Sequence, residues 1–446
     1  MLIARGHKVQ CFKKGPDYID PKWLSLASNR PCINLDFYTM KQEEILQYFA
    51  RYSNQADIVI VEGNKGLFDG VDTEGSDSTA ALGQLLGLPV VLVVDTQGIT
   101  RGIAPLLLGY ESFTHQIKIA GIILNNVASL RHEQKLRAAI ERYTDLPVFG
   151  VMYRNPGLGV PERHLGLMPT NEMQEARQCV SRIANAVDEA VDVDALIKQC
   201  DELNKTSSLV KSNVSKPKSV SADVTIGIAR DSAFGFYYPD DIETFEHAGV
   251  RIEYFDAIND TGFPEMDALF IGGGFPETHI GALHQNNAMR AAIRSFIDAC
   301  NPVYAECGGL MYLCRSLSWN GESKEMVGAI PADVVMQKKP FGRGYVTLRR
   351  TEYYPWNISD ELSDSELRVH EFHYSRLENL SGDINFAYDV IRGTGVDGQH
   401  DGIVYKNVLA TYSHQRNVGS NSWVYDFVQY VRDIKSVKST PALKAS

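Results

Sequence analysis

The chain has 446 residues, enough for two or three domains that each bury a core of their own. A formal net charge of -11 argues against a nucleic-acid protein, though not against a local basic site for an anionic small molecule. No apolar run approaches the ~18 residues of a membrane span, Met1-Leu-Ile-Ala-Arg-Gly6 does not read as a signal peptide, and the 7 scattered cysteines form no C-x-x-C pair, so reduced thiols in a cytoplasmic protein are expected rather than disulfides or zinc.

In chain order, Met1–Arg5 followed by Gly6 reads as the end of a helix, with a basic residue in the last turn and a glycine cap beyond it. Val9-Gln-Cys-Phe12 is the next strand. Lys13-Lys-Gly-Pro-Asp-Tyr-Ile-Asp-Pro21 packs two cations, an aromatic and the carboxylates Asp17 and Asp20 between Pro16 and Pro21, a composition that disfavours a helix and predicts a loop. Paired acids in a loop suit a Mg2+ site or substrate positioning, although a bare D-x-x-D is more often a polar turn. Asp57–Val61 is a strand that brings Glu62 to its carboxyl end, a place suited to handling Mg2+, and Gly66-Leu-Phe-Asp-Gly70 follows. Val90–Asp95 and Ile119–Leu124 are further strands, the second running into Asn125 and Asn126, where an amide could read adenine. Glu133–Tyr143 is an amphipathic covering helix.

The stretch 204–222 is rich in Ser and Lys and poor in apolar residues, the composition of a flexible linker. Beyond it come the strands Thr225–Ala229, Asp267–Ile271 and Pro302–Ala305 and the helix Asn287–Cys300. Short continuous apolar runs bounded by Gly, Asp and Pro suit strands buried on both faces, hence parallel sheets, and the alternation with helices makes both halves α/β. The boundaries that follow are a first domain over 1–203, the linker over 204–222, a second domain over 223–435 and a tail over 436–446.

The densest chemical signal lies in Asn301-Pro-Val-Tyr-Ala-Glu-Cys-Gly-Gly-Leu-Met-Tyr312, a strand, a sharp turn at Cys307 and a helix start. A lone cysteine is usually a small core residue. At a strand-to-helix elbow, free N–H groups favour its thiolate, and Gly308 lets the backbone approach a reacting carbonyl so that its N–H can face an oxyanion. A second glycine loop, Gly272-Gly-Gly-Phe-Pro-Glu277, follows a strand, and its N–H groups, Gly274 among them, could complete that oxyanion hole. Three histidines could serve as the base that a cysteine nucleophile needs: His370 and His373 in one segment, and His414 at the end of the apolar run from Leu409. Glu306 and Glu371 sit next to key residues in sequence, but which of them reaches His414 is left open.

The second half as a whole resembles the class I glutamine amidotransferase domain of the cobyrinic and cobyric acid type, with a flavodoxin-like α/β fold. The motifs that carry this are the elbow, Ala229-Arg-Asp-Ser-Ala-Phe-Gly-Phe-Tyr-Tyr-Pro239, the Gly-Gly-Phe-Pro-Glu loop, His370-Glu-Phe-His-Tyr-Ser375, and Asp401-Gly-Ile with Leu409-Ala-Thr-Tyr-Ser-His414. The resemblance implies that Cys307 attacks the side-chain amide of L-glutamine, that His414 raises its nucleophilicity, and that Gly308 and Gly274 hold the oxyanion. Ser413 and Arg416 depart from the family's Tyr-Leu-His-x-His pattern. The first half, from about Gly6 to Glu172 and including Pro161-Glu-Arg-His-Leu-Gly-Leu167, resembles the synthetase domain of the cobyrinic acid a,c-diamide synthase family. That domain is P-loop-NTPase-like, of the dethiobiotin-synthetase kind. The resemblance assigns Asp17, Tyr18, Ile19, Asp20, Glu62, Asp69 and Asn125 to nucleotide and substrate loops, with Mg2+ at Glu62 and Asp17. Lys65 departs from the family's methionine.

The implied activity is amidation of the a and c acetate side chains of cobyrinic or hydrogenobyrinic acid, with ATP as cosubstrate and glutamine as nitrogen donor. Small molecules, not nucleic acid or membrane, are the expected partners, and a homodimer is left open. A G-x-x-x-x-G-K-[ST] phosphate loop is absent from this sequence, so either a true start upstream of Met1 or a truncated first domain lacking its first strand is expected, and in the second case little ATP-dependent amidation. Two alternatives stand beside the main reading. One is a Ni-sirohydrochlorin a,c-diamide synthase, and the other is a non-synthetic tetrapyrrole-binding protein with residual glutaminase activity.

Overall fold

This computed structural model describes residues 1–64, 66–113, 116–163, 166–204, 221–356 and 365–439. The expectations that fall on Lys65, His164, Leu165, the linker over 205–220 and the tail over 440–446 lie outside the described residues. The chain forms two compact units, Met1–Phe37 with Gln42–Val214, and Tyr38–Lys41 with Ser215–Ser446.

The first unit opens on a single helical turn closed at Gly6. His7 N–H donates to Leu2 C=O (3.2 Å) and Gly6 N–H to Ile3 C=O (3.0 Å), with Gly6 at φ +90°, a Schellman closure at the glycine read from the sequence as a cap. Six parallel strands follow: β1 (Val9–Lys14), β2 (Ile33–Leu35), β3 (Ile58–Glu62), β4 (Val90–Asp95), β5 (Ile119–Val127) and β6 (Val148–Tyr153). They pair as two three-stranded sheets, β2-β1-β3 and β4-β5-β6. Among the described residues no strand joins β3 to β4, and each carries an apolar side chain open to solvent, Ile60 at 40% and Val93 at 65% exposure.

One local expectation is corrected. The Pro-bounded segment after β1 is not a loop throughout, because a helix starts at Ile19 and runs to Ser28. Pro21 is tolerated since it lies in the first turn, where its missing N–H would have no partner anyway. Asp17 caps that turn, its carboxylate accepting from Ile19 N–H (2.8 Å) and Asp20 N–H (3.2 Å).

The second unit is built on a nine-stranded sheet. Its parallel half contains β7 (Val224–Ala229), β8 (Val250–Phe255), β9 (Ala268–Ile271) and β10 (Val303–Glu306). Its antiparallel half contains β11 (Gly342–Arg350), β12 (Leu367–His373), β13 (Asn385–Arg392) and β14 (His400–Tyr405), with β15 (Val408–Thr411) at the junction. The order is β8-β7-β9-β10-β15-β14-β13-β11-β12, parallel as far as β15 and antiparallel beyond it. The sequence reading expected parallel pairing alone. In the added half β14 reverses into β15 through Lys406 and Asn407, and in β11 buried Val346 and Leu348 alternate with the less buried Tyr345, Thr347 and Arg349, a one-faced pattern. The central strands are buried on both faces. Leu269, Ile271, Val303 and Ala305 join one apolar core, while Phe270 and Tyr304 join the other with Trp423 and Phe427 of the helix Trp423–Ser439. A smaller sheet of Cys314–Trp319, Glu322–Glu325, Ile330–Met336 and Ser375–Glu378 completes the unit.

Candidate active site

β10 ends at Glu306, and the chain turns through Cys307 into the six-residue helix Gly308–Leu313. Cys307 adopts φ +45°, ψ -97°, a left-handed conformation that disfavours a side chain by ~1–3 kcal/mol and persists only where the surroundings impose it. They do so here. Cys307 N–H donates to Thr411 C=O (2.7 Å), and Cys307 C=O accepts from Met311 N–H (3.0 Å). The glycines after it are required by contact: a methyl at Gly309 would stand 2.0 Å from Ile271 C=O. The thiol is buried, at 6% exposure.

The strand pairing brings the histidine to this elbow. β10 and β15 run parallel with Glu306 opposite Thr411, so the residues just past Thr411 emerge beside Cys307. Asp401 fixes that exit, its two carboxylate oxygens accepting from Tyr412 N–H and Ser413 N–H, each at 2.9 Å. His414 N–H donates to His370 C=O (2.7 Å), and the two imidazoles stack at 5.0 Å. His414 Nδ1 lies 3.3 Å from Glu306 Oε2, and the same ring interacts electrostatically with Cys307. Burial alone would lower the imidazole's pKa, but the hydrogen bonds and charges of Cys307 and Glu306 carry it up to about 10. His370, buried and next to the cations of His414 and Arg416, is pushed well below the ordinary value and stays neutral.

The second glycine loop closes the site. A methyl at Gly308 would touch Gly274 N at 3.0 Å, so the two glycines sit side by side after Cys307. A methyl at Gly273 would lie 2.6 Å from His414 Cε1, and one at Gly274 would lie 1.9 Å from Ala233 C=O. Cys307, His414, Gly308 and Gly274 are therefore brought together, and Gly273 joins them as a contact that the sequence did not single out.

Other sequence candidates fall elsewhere. His373 stacks on Tyr412 at 3.9 Å, and its Nδ1 meets Ser375 C=O at 2.8 Å. Glu371 lies 3.6 Å from His373 and accepts from Thr394 N–H (2.7 Å) and Gly395 N–H (2.8 Å), so it is Glu306 and not Glu371 that reaches His414. The unusual Arg416 is buried with Asp240 at 3.0 Å and stacks over Tyr238 at 5.0 Å. The unusual Ser413 is fully buried, its N–H held by Asp401.

In the first unit, Lys13 Nζ is surrounded by Asp20 (2.7 Å), Glu62 (3.3 Å) and Asp17 (3.9 Å). Burial and the charge of Asp20 push Asp17 up to about 6 against the pull of Lys13. In this arrangement the Lys13 ammonium compensates the carboxylates expected to hold a divalent cation. Among the described residues no group of three His, Cys, Asp or Glu is placed to bind a metal. Tyr18 is buried just before the helix that Ile19 begins. Asp69 is engaged with Gly66 N–H (3.2 Å), and the Asn125 C=O accepts from Thr96 N–H (2.9 Å) and Thr96 Oγ1 (2.8 Å).

A strained cysteine elbow, a buried histidine and two apposed glycine loops on an α/β sheet define the class. Residues 225–421 match the family of CobB/CobQ-like glutamine amidotransferase domains, and residues 11–162 match an AAA domain. Along nearly its full length, the chain is similar to the cobyrinate a,c-diamide synthase of Magnetococcus marinus, 44% identical over 97% of this chain and 92% of that one. It is likewise similar to the enzymes of that name from Methanosarcina barkeri (35% identical, 99% of this chain and 93% of that one) and Methanosarcina acetivorans (36%, 94% and 88%). The chain belongs to the cobyrinate a,c-diamide synthase family. No helix among the described residues is long and apolar enough to cross a membrane.

Proposed function

We propose that this chain is a glutamine-dependent carbon–nitrogen ligase that amidates the a and c side-chain carboxylates of cobyrinate or hydrogenobyrinate, with ATP as cosubstrate. The observation that carries the nitrogen-donating half is the Cys307 elbow, beside which the parallel pairing of β10 with β15 brings His414, held at Nδ1 by Glu306. The Cys307 thiolate adds to the side-chain carbonyl of glutamine, and the oxygen takes the negative charge beside the N–H groups of Gly308 and Gly274. As the oxyanion collapses, the C–N bond breaks and the His414 imidazolium gives its proton to the departing ammonia, leaving a glutamyl thioester. Water then adds with His414 as base, the C–S bond breaks, glutamate is released, and the thiolate and the His414 imidazolium are regenerated.

The consuming half rests on the family and on the match to an AAA domain. A carboxylate is a poor electrophile. Transfer of a phosphoryl group from ATP makes an acyl phosphate, and ammonia displaces phosphate to give the amide. Asp17, Tyr18, Ile19, Asp20, Glu62, Asp69 and Asn125 are proposed to line the nucleotide and substrate loops. Mg2+ would enter with the nucleotide and would require Asp17 or Glu62 to leave Lys13, so no step is routed through it. The test is a product assay with ATP, glutamine and each of cobyrinate, hydrogenobyrinate and Ni-sirohydrochlorin. Diamide from either corrinoid in preference to the nickel compound supports the reading, and exclusive turnover of Ni-sirohydrochlorin overturns its substrate.

A further inference from the structure

We propose that Glu306 is a positioning residue for glutamine cleavage, whose carboxylate holds the His414 imidazole with one nitrogen turned to Cys307. The proposal rests on the reading of Cys307 and His414 given above. The geometry has three parts. An imidazole has two nitrogens, and Glu306 Oε2 engages Nδ1 at 3.3 Å, which leaves Nε2 as the nitrogen available to Cys307. Glu306 is itself immobilised: Oε1 accepts from Tyr304 O–H (2.7 Å) and Gln415 N–H (2.9 Å), and the Gln415 side chain donates to Tyr304 Oη at 2.8 Å. Finally, the carboxylate is 2% exposed, so water does not compete for the imidazole.

The placement follows from the strand alternation. Tyr304 and Glu306 project to the same side of β10, and parallel pairing sets Glu306 opposite Thr411, three residues before His414. One residue therefore immediately precedes the proposed nucleophile and still reaches the histidine from the opposite direction. The charged and titratable groups around His414 are Cys307, Glu306, the stacked His370, and Arg416, whose charge Asp240 takes up, with Asp241 within electrostatic reach of Glu306. Glu306 takes no proton in the cycle. It keeps Nδ1–H as a donor and favours the imidazolium, and through it the thiolate, much as a carboxylate orients histidine in other nucleophilic sites.

The experiment uses the full chain. In Glu306→Gln the shape is kept and the charge lost. Glutaminase kcat is expected to fall by ~10²-fold, within the range carried by a positioned acid–base group, with KM changed by less than about threefold. The rate of Cys307 alkylation by iodoacetamide should rise with pH at a higher midpoint than in wild type, because the imidazolium that supports the thiolate is weakened. Glu306→Asp retains the charge and should keep the alkylation midpoint close to wild type even as kcat falls, a separation that a packing role would not produce. A wild-type kcat and midpoint in Glu306→Gln, or equal midpoint shifts in the Gln and Asp variants, overturns the proposal. Glutaminase activity in Cys307→Ser would overturn the underlying site assignment instead, whatever Glu306 does.

Discussion

Gly273→Ala adds one methyl group, and its consequence can be worked from the coordinates. The new carbon would lie 2.6 Å from His414 Cε1 and 3.3 Å from Phe236 Cβ. Carbon atoms rest at ~3.5–4.0 Å, so the imidazole must retreat by about 1 Å, and Phe236 on the other side leaves the methyl no room to lean away. His414 cannot give way freely, being 3% exposed and held at its backbone by His370 and at its ring by Glu306. A misplacement of ~1 Å in a catalytic constellation lowers the rate by ~10²-fold, or ~2.7 kcal/mol at ~1.36 kcal/mol per decade. The assay is glutamate release from glutamine in parallel with amidation supported by free ammonium. Glutamate release should fall by about two decades while ammonium-supported amidation holds. Wild-type glutamate release from a folded Gly273→Ala chain would refute the placement of His414 against the second glycine loop.

The other predictions concern charges. Asp240→Ala takes the carboxylate away from the buried Arg416, both being 2% exposed in their side chains, and removal of one member of such a pair destabilises by ~3–5 kcal/mol. The melting transition of the second unit should drop by on the order of 10 °C, and replacing both residues with apolar side chains should recover most of that loss; an unchanged Tm in Asp240→Ala would contradict the pairing. Asp17 has its pKa raised from 3.8 to about 6 by burial and by Asp20, so its ionisation opposes folding. That penalty is absent below the ordinary value and complete above about 6, and an asparagine side chain at this position escapes it while still accepting from Ile19 N–H and Asp20 N–H. Asp17→Asn should therefore raise the Tm of the first unit at alkaline pH but not at pH near the ordinary carboxylate value; an equal change at both would show that Asp17 ionises freely beside Lys13, Asp20 and Glu62.

The elbow was readable because its requirements are local. A thiol between a short apolar strand and two glycines leaves few other conformations, and the glycines turn out to be packed against Ile271 C=O and Gly274 N. The glycine cap at Gly6 was readable for the same reason. The Glu306–His414 contact was not, because the two residues are 108 positions apart and meet only if β10 pairs in parallel with β15, a strand that enters the sheet late in the chain. Arg416 showed in sequence only as a departure from the family pattern, and it is a buried cation whose partner, Asp240, is 176 positions away. Pro21 misled locally: proline breaks a helix interior, yet in a first turn capped by Asp17 it does no harm. The antiparallel half of the sheet was missed because no single strand of it is apolar throughout.

The central claim is that nitrogen released at Cys307 ends in the product. The direct measurement is mass spectrometry of the corrinoid product formed from ATP, cobyrinate and glutamine labelled with heavy nitrogen in its side-chain amide. The account predicts label in both new amides with the wild-type chain. With Cys307→Ser it predicts no labelled product, and unlabelled diamide when ammonium is supplied. Labelled diamide from Cys307→Ser, or unlabelled diamide from the wild-type chain with labelled glutamine as its nitrogen source, would contradict it.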